Sequence, residues 1–511
     1  MTQRTYGDVV AFEVSRREAY SDLSYVPVFR ASAIFYARVE DGFDTELTFL
    51  NYWSIKNGND DVSLLLSVRD AEGSTVRRLF APVRGFVDGV RVSELVETPF
   101  EGSIEAELHS SRDLKYAMPA IVVGYHTRDG VSFVHSNQRV FNDLADQARN
   151  IGFNPGQTGF DVRVDGEAVS YLTFVNGPLP VERAELVVDV VNASGAGMAT
   201  TLDLGSLPAY ATRLVSFDAI RGAAEHLDGQ PGFARVDAGT TGVFNRLAVG
   251  TTARDRDRTT VTHSFYDCSN LNDYVEAAEL PPDDYHAFLP LALVPGVDLE
   301  VVLYPIYSPV TFRLQLLTFD GDRTVETPLG DFDTRDRRPM RLPIARAARA
   351  AHPKADDLLH CVVLETDDGR VPARVTVGLN YEVDGFGSNV NDSVALHTGY
   401  GVRDRLFAWG PVFLGDGARN VISIAHLEKR KVADGVSSLT LRLYDRGGVV
   451  AERELAMANR SALNLEVEEL VAGIEVEGRV LWYTLESSNP SFTVRQVHVS
   501  ARGFVGADHS F

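Results

Sequence analysis

Cysteine is scarce in this chain, since only Cys268 and Cys361 occur among its 511 residues. Two thiols cannot cross-link a protein of this length, so its cores have to be held by packing rather than by disulfides. A low cysteine content suits the cytosol and equally suits bacterial proteins that are exported without disulfides. The cysteine content therefore does not indicate in which cellular compartment the protein resides.

The sequence also lacks long apolar runs. None approaches the roughly 18 residues that indicate a membrane-spanning helix, and we expect no membrane insertion. The N-terminal MTQRTYGDVVAFEV has no apolar segment of the kind found in secretory signals. We expect either residence in the cytoplasm or, as the favoured alternative, a place at the cell surface or outside it, reached by a route without such a signal.

Positive charge is in deficit, with 49 basic against 71 acidic residues and a formal net charge of −22. Such a surface repels nucleic acid and anionic lipid at long range. We therefore expect no nucleic-acid partner. The same charge keeps a protein of several modules soluble.

Familiar catalytic motifs are missing. The chain contains no HExxH, GxxxxGK[ST], GxSxG or CxxC pair and no glycine-rich dinucleotide pattern. Its acidic loops match no EF-hand spacing. We therefore predict that the protein is not an enzyme and has no cofactor and no metal site.

What is present is a repeat. LTFLN from Leu47 returns as LTFVN from Leu172, which is 172 − 47 = 125 residues later. Three further features recur at intervals of 122 to 128 residues: a turn-forming Asp or Asn, a valine followed by a very small residue, and a serine near the end of each unit. These are Asp70, Asn192, Asp320 and Asp445; Val123, Val249, Val377 and Val499; and Ser136, Ser264, Ser388 and Ser510. Such periodicity predicts four tandem modules.

Each module is predicted to be a β-sandwich. Apolar residues alternate with polar ones, as at Leu439, Leu441 and Leu443, which is typical of a strand with one buried face. We predict an all-β fold of four tandem antiparallel sandwiches, immunoglobulin-like or jelly-roll-like, with about 125 residues each and little helix. The predicted modules are 1–139, 140–267, 268–391 and 392–511. No Gly/Ser-rich linker separates them, so we expect a semi-rigid row laid end to end.

Local patterns predict turns and short helices. The Asp or Asn of each module should start the tip of a β-hairpin, because its side chain accepts a bond from a nearby backbone N–H. AIRGAAEHLDG from Ala219 and LPIARAARAAH from Leu342 should contain short helices, as should a segment around Leu144. VSELV and VEELV should form single turns at the same position in modules one and four.

Histidine precedes the terminal serine in three modules, at His135, His263 and His509, and Gly387 takes its place in the third. Adjacent residues of a strand point to opposite faces, so a histidine there cannot activate the neighbouring serine. A metal site needs three or four ligands, and one histidine per module is too few. The favoured interpretation is a histidine bonded to a backbone carbonyl. A contact between modules or subunits is the alternative.

Two aromatic groups lie beside predicted strand ends, Tyr52 with Trp53 and Phe407 with Trp409. Core packing is the favoured interpretation. Large aromatics at loops also anchor protein interfaces or stack on sugar rings. We keep all four residues, with the three histidines, as candidate interface or ligand contacts.

Together these features favour a non-enzymatic structural protein, a subunit of a surface layer, filament, appendage or virus-like particle. The expected partner is another copy of the chain or a different protein. The alternative is a binding protein that recognises a glycan or a protein through loops at the sandwich ends. The spacing of the predicted strands resembles that of tandem immunoglobulin-like arrays in bacterial surface proteins. This resemblance assigns no role to any residue.

Overall fold

The computed structural model describes residues 27–85, 87–115, 118–135, 138–140, 157–238, 243–244, 246–254, 257–265, 274–276, 287–306, 308–366, 369–372, 375–396, 405–415, 417–428 and 435–511.

The first module is a sandwich of two antiparallel sheets. Its strands are β1 (Arg30–Val39), β2 (Phe43–Leu50), β3 (Ser63–Asp70), β4 (Thr75–Pro82), β5 (Val87–Arg91), β6 (Phe100–His109), β7 (Val122–Thr127) and β8 (Val131–His135). The first sheet has the order β1-β6-β3-β4 and the second β5-β2-β7-β8. A short strand, β9 (Arg139–Val140), follows.

The other modules repeat this pattern. Module two contains β10 (Gln157–Val162), β11 (Ala168–Val175), β12 (Val181–Val191), β13 (Gly197–Leu207), β14 (Thr212–Ser216), β15 (Gly232–Asp237), β16 (Val243–Phe244), β17 (Ala248–Ala253) and β18 (Thr262–His263). After β19 (Tyr274–Glu276), module three contains β20 (Ala287–Ala292), β21 (Asp298–Leu303), β22 (Thr311–Asp320), β23 (Arg323–Asp333), β24 (Met340–Leu342), β25 (Leu359–Thr366), β26 (Arg370–Pro372), β27 (Thr376–Val383), β28 (Phe386–Ser393) and β29 (Ala395–Leu396). Module four contains β30 (Leu406–Phe413), β31 (Arg419–His426), β32 (Val436–Asp445), β33 (Gly448–Ala458), β34 (Ser461–Glu466), β35 (Val480–Ser487), β36 (Phe492–Val499) and β37 (Val505–His509).

Strand order is the same in all four modules. The first sheets run β10-β15-β12-β13, β20-β25-β22-β23 and β30-β35-β32-β33, and β29 adds to the edge of the second of these. The second sheets run β14-β11-β17-β18, β24-β21-β27-β28 and β34-β31-β36-β37. The predicted fold class of four tandem antiparallel β-sandwiches is confirmed. The exact domain boundaries stay a prediction.

The predicted hairpin tips are confirmed, since the Asp or Asn column ends or follows the third strand of every module. Asp70 Oδ1 accepts bonds from the backbone N–H of Glu72 and of Ser74, at 3.1 and 2.8 Å. Asn192 and Asp445 make the same kind of turn. In module three the turn after Asp320 is tighter and uses Gly321 at φ +59°.

Helix is minor and lies mostly where it was predicted. In the described ranges the helices are α1 (Tyr52–Asn57), α2 (Ala223–Leu227), α3 (Ile344–Ala351) and α4 (Val467–Leu470), with 3₁₀ turns at Val92–Glu94, Phe217–Ala219, Thr334–Asp336 and Ala355–Asp357. The segment around Leu144 lies outside the described residues. Among the described helices, the longest has 8 residues, and none has the length and apolar character to cross a membrane.

The modules do not form an open row, so that prediction is wrong. The first sheet of each module packs on the second sheet of the next: β6 contacts β14, β20 contacts β31, and β35 of module four returns to β5 of module one. Between modules two and three, the rings of Phe233 and Tyr304 lie 6.2 Å apart. A head-to-tail interface with a constant rotation closes into a ring, and here four modules suffice.

Each hairpin tip rests on the turn between the fourth and fifth strands of the next module. Thr212 N donates to Ala71 O at 2.9 Å, and the Arg460 guanidinium lies 5.4 Å from the centre of the Phe319 ring. One residue of each receiving turn is left-handed: Tyr210 at φ +61°, Arg337 at +56°, Arg460 at +60° and Gly85 at +86°. The same interface is therefore used at every junction.

This interface predicts the effect of adding one methyl group at a hairpin tip. A Cβ on Gly73 would lie 2.0 Å from Ala209 O of module two, whereas a Cβ on Gly229, also left-handed, meets nothing within 4 Å. We expect Gly229→Ala to cost about 1–2 kcal/mol through backbone strain alone. Gly73→Ala should cost at least about 1 kcal/mol more, because the two modules must separate. Urea unfolding of both variants measures the difference, and equal losses would contradict the tip contact.

Candidate functional site

The last strands of the four modules, β8, β18, β28 and β37, meet at the centre of the ring. Ser132 Oγ of module one lies 3.0 Å from Ser388 Oγ of module three, so opposite modules touch. Ser132 Oγ accepts a bond from Val261 N of module two, and Ser388 Oγ donates to Val505 O of module four. Two hydroxyls thus connect all four modules.

Three predicted contact residues, His135, His263 and His509, come together at this centre. The His135 ring lies 4.8 Å from the His263 ring and 4.5 Å from the His509 ring, measured between centroids. One ring nitrogen from each residue lies within 4.8 Å of the others. The argument from one histidine per module against a metal site therefore fails, because the ring places three histidines in one cluster.

A hydrogen bond at Nδ1 orients each of the three imidazole rings. His263 Nδ1 lies 3.1 Å from Ser264 O and His509 Nδ1 lies 2.9 Å from Ser510 O. A carbonyl oxygen only accepts, so both nitrogens carry the proton and leave Nε2 with a lone pair. His135 Nδ1 lies 3.0 Å from Asp508 Oδ2, and the ionised carboxylate selects the same tautomer. For His263 and His509 the acceptor is the carbonyl oxygen of the next residue in the chain, and the three rings also contact one another across modules.

Burial determines protonation at the centre. It lowers the pKa of His135 and of His263 well below the usual value, and the nearby Arg246 guanidinium lowers both further. Burial also lowers the pKa of His509. The pKa of the Asp508 carboxyl is raised to about 6 because burial outweighs its favourable contacts. All three imidazoles are therefore neutral at neutral pH.

Module three supplies Asn391 in the place of a histidine. Ser132 and Ser388 each pair with a tyrosine of the preceding strand, which makes the two serines equivalent. Three residues further on, His135 of module one corresponds to Asn391, not to Gly387. The sequence comparison missed this because it aligned Ser388 with Ser136, whereas the strand pairing makes Ser388 equivalent to Ser132, four residues earlier.

Among the described residues, one ring nitrogen of the histidine cluster and one oxygen of Asn391 have no hydrogen-bond partner. They are Nε2 of His263, whose residue is 1% exposed, and Oδ1 of Asn391, whose residue is 4% exposed. The amide nitrogen of Asn391 donates to His263 O. The Asn391 side chain is thus anchored to the backbone of His263, and each of the two side chains keeps an unused lone pair.

The predicted aromatic contacts lie inside the junction of modules four and one. Tyr52 and Trp53 open α1 and are each 1% exposed. Trp409 and Phe407 lie within β30 and are also buried. The Tyr52 and Trp409 rings lie 5.0 Å apart, across the junction that closes the ring. Their burial leaves no face on which a sugar could stack.

A polar cavity of about 270 Å³ lies between modules two and three. Arg341 forms ion pairs there with Asp161 and, at 2.9 Å, with Glu300. Burial raises the pKa of Glu382, also in the lining, and the neighbouring negative charges of Glu300 and Asp161 add to the rise. One arginine thus pairs with a carboxylate from each of the two modules and joins them.

Comparison with known proteins yields no family. No family model and no curated protein matches the chain. One solved structure, titled "Crystal structure of tetra-tandem repeat in extending region of large adhesion protein", aligns with 88% of this chain and 91% of its own at 12% identity. The TM-score of 0.10 is too low for this likeness to carry an argument.

The junction between modules three and four provides a test of buried charge. Arg495 is 3% exposed, pairs with Asp392 at 2.8 Å and donates to Pro290 O. We expect Arg495→Met to destabilise the fold by about 3–5 kcal/mol, because Asp392 is left without its cation. The control is Arg313→Met at the exposed pair with Glu365, which should cost less than about 1 kcal/mol. Urea midpoints report both, and similar losses would refute a special role for the buried pair.

A second test uses His498, which lies in β36 and bonds Asn420 Oδ1 through Nδ1 at 3.0 Å. Burial, aided by nearby His126, lowers the pKa of His498 to about 4. The folded pKa lies below the unfolded value near 6.5, so its stabilising contribution is complete above pH 6.5 and is lost as the pH falls towards 4. The total is about 3 kcal/mol.

His498→Gln should therefore flatten the dependence of unfolding free energy on pH by up to about 1.4 kcal/mol per unit between pH 6.5 and 4. Substitution of the partly exposed His226 serves as the control. Denaturant unfolding at a series of pH values gives both slopes. Parallel curves for wild type and His498→Gln would show that His498 is not held neutral by the fold.

Proposed function

We propose that the chain is a non-enzymatic building block that associates with further copies of itself, as in a surface layer, filament, appendage or virus-like particle. The closed ring supports this proposal because every module is held on two sides, which makes a rigid unit. The main observation in favour is an exposed sheet edge, described next.

Strand β4 is the free edge of the first sheet of module one in the described part of the chain. Val76, Leu79 and Phe80 are 50%, 39% and 66% exposed. An apolar edge with unpaired backbone groups is a template for pairing with another chain. Two of the three equivalent edges are protected: β23 contains Pro328, and β33 carries Glu452 and Glu454.

Charge favours a second copy as the partner. Arg77 and Arg78 place two exposed cations on β4, in a protein whose net charge is −22. A basic, apolar strand is complementary to the acidic surface of another copy. The alternative of glycan recognition through Trp53 or Trp409 has no support, because both side chains are buried.

The proposal predicts concentration-dependent assembly. In sedimentation velocity and negative-stain microscopy, the full chain should form larger species, and added salt should weaken them by screening the arginines. Phe80→Ser and the double change Arg77→Glu with Arg78→Glu should each shift the population towards the single chain. Leu179→Ser removes an equally exposed apolar residue, 65% exposed, from a different surface and is the control.

Two results would overturn the proposal. One is a single-chain species at every protein concentration and salt concentration. The other is an equal effect of Leu179→Ser and Phe80→Ser, which would indicate unspecific adhesion rather than a defined edge contact.

A further inference from the structure

We infer that His135, His263 and His509 form a binding site for one divalent transition-metal ion at the centre of the ring. The inference is independent of the proposed assembly. It rests on the arrangement of three imidazoles from three modules and on unused lone pairs beside them.

The tautomers suit coordination. Nδ1 of each histidine is occupied by an oxygen, so each Nε2 is free to bind a cation. The His135–Asp508 contact is the carboxylate–histidine arrangement that commonly orients metal ligands. One ring nitrogen of each histidine lies within 4.8 Å of the others. Zn–N bonds of about 2.0–2.1 Å place tetrahedral ligands about 3.4 Å apart, so binding would require the rings to turn and approach one another by roughly 1–1.5 Å.

The unsatisfied atoms provide the second, independent observation. A buried polar atom without a partner is costly, and native proteins leave few of them. His263 Nε2 is such an atom within the cluster, and Asn391 Oδ1 is another on a side chain anchored to the His263 carbonyl. An ion at His263 Nε2 would satisfy the first, and Asn391 offers its Oδ1 as a further ligand or as an acceptor for a water on the ion.

The type of ligand and the surrounding charges together indicate which class of ion the site would bind. The buried Asp508 and the partly buried Asp392 act electrostatically on His509, and their carboxylates offset part of the ionic charge. Arg246 opposes it, since its positive charge already lowers the pKa of His135 and His263. Neutral imidazole ligands suit Zn²⁺, Co²⁺, Ni²⁺ and Cu²⁺, whereas Mg²⁺ and Ca²⁺ require oxygen. We therefore assign the site to the zinc class.

Such an ion would stabilise the closed form of the ring. His135 belongs to module one and His509 to module four, so the ion would bridge the junction between the last module and the first. His263 of module two would be the third ligand. If the ion binds only the closed ring, the stability of the closed ring increases with the logarithm of the ratio of ion concentration to Kd.

The test uses the full chain after removal of metal with a chelator. Co²⁺ titration should give visible d–d absorption that saturates at one ion per chain and is displaced by Zn²⁺. Zn²⁺ should raise the unfolding temperature, whereas Mg²⁺ should not. His263→Gln and His509→Gln should each weaken Co²⁺ binding by at least about 10–100-fold, the range for loss of a supporting group.

His360→Gln is the matched control. His360 is likewise buried, but its two ring nitrogens are engaged by Thr318 and by Ala355 O in module three, away from the centre. Circular dichroism establishes that each variant is folded, and the half-buried His509 keeps the test available if His263→Gln unfolds. Absence of a one-to-one cobalt spectrum, or unchanged binding in both cluster variants, would overturn the inference.

Discussion

The packing of one module's first sheet on the next module's second sheet is the contact on which the rest of the structure depends. It occurs at all four junctions with the same hairpin tip and the same left-handed turn. Because this interface is head-to-tail, each junction adds the same rotation, and the fourth module meets the first. The central cluster exists only because the ring closes, since its histidines come from three different modules.

Polar groups at the junctions give this packing its register. Trp482 Nε1 donates to Thr48 Oγ1 across the closing junction, and Arg495 holds Asp392 across the preceding one. Buried pairs of this kind contribute little net stability compared with apolar substitutes, yet a shifted register would leave them unsatisfied at high cost. They therefore favour one closed arrangement over slipped alternatives that bury similar apolar area.

The candidate site was predictable in its residues but not in its geometry. The column of His135, His263 and His509 was visible as a repeat, whereas Asn391 was hidden because Ser388 of module three was aligned with Ser136 instead of Ser132. Asp508 gave no sign of its role because its partner, His135, lies 373 residues away in the chain. Tyr52 and Trp409 were correctly singled out as large aromatics. That they meet each other follows from ring closure, which no local pattern encodes.

The sequence by itself determined the repeat, the strand alternation, the hairpin tips and the short helices, because each depends on residues close together in the chain. Only the tertiary structure decided that the modules form a ring rather than a row, which aromatics are interior, and which histidines meet. These outcomes depend on the angle at which one sheet packs on another. That angle depends on how all the side chains of two sheet surfaces fit together, so no short segment of the sequence can predict it.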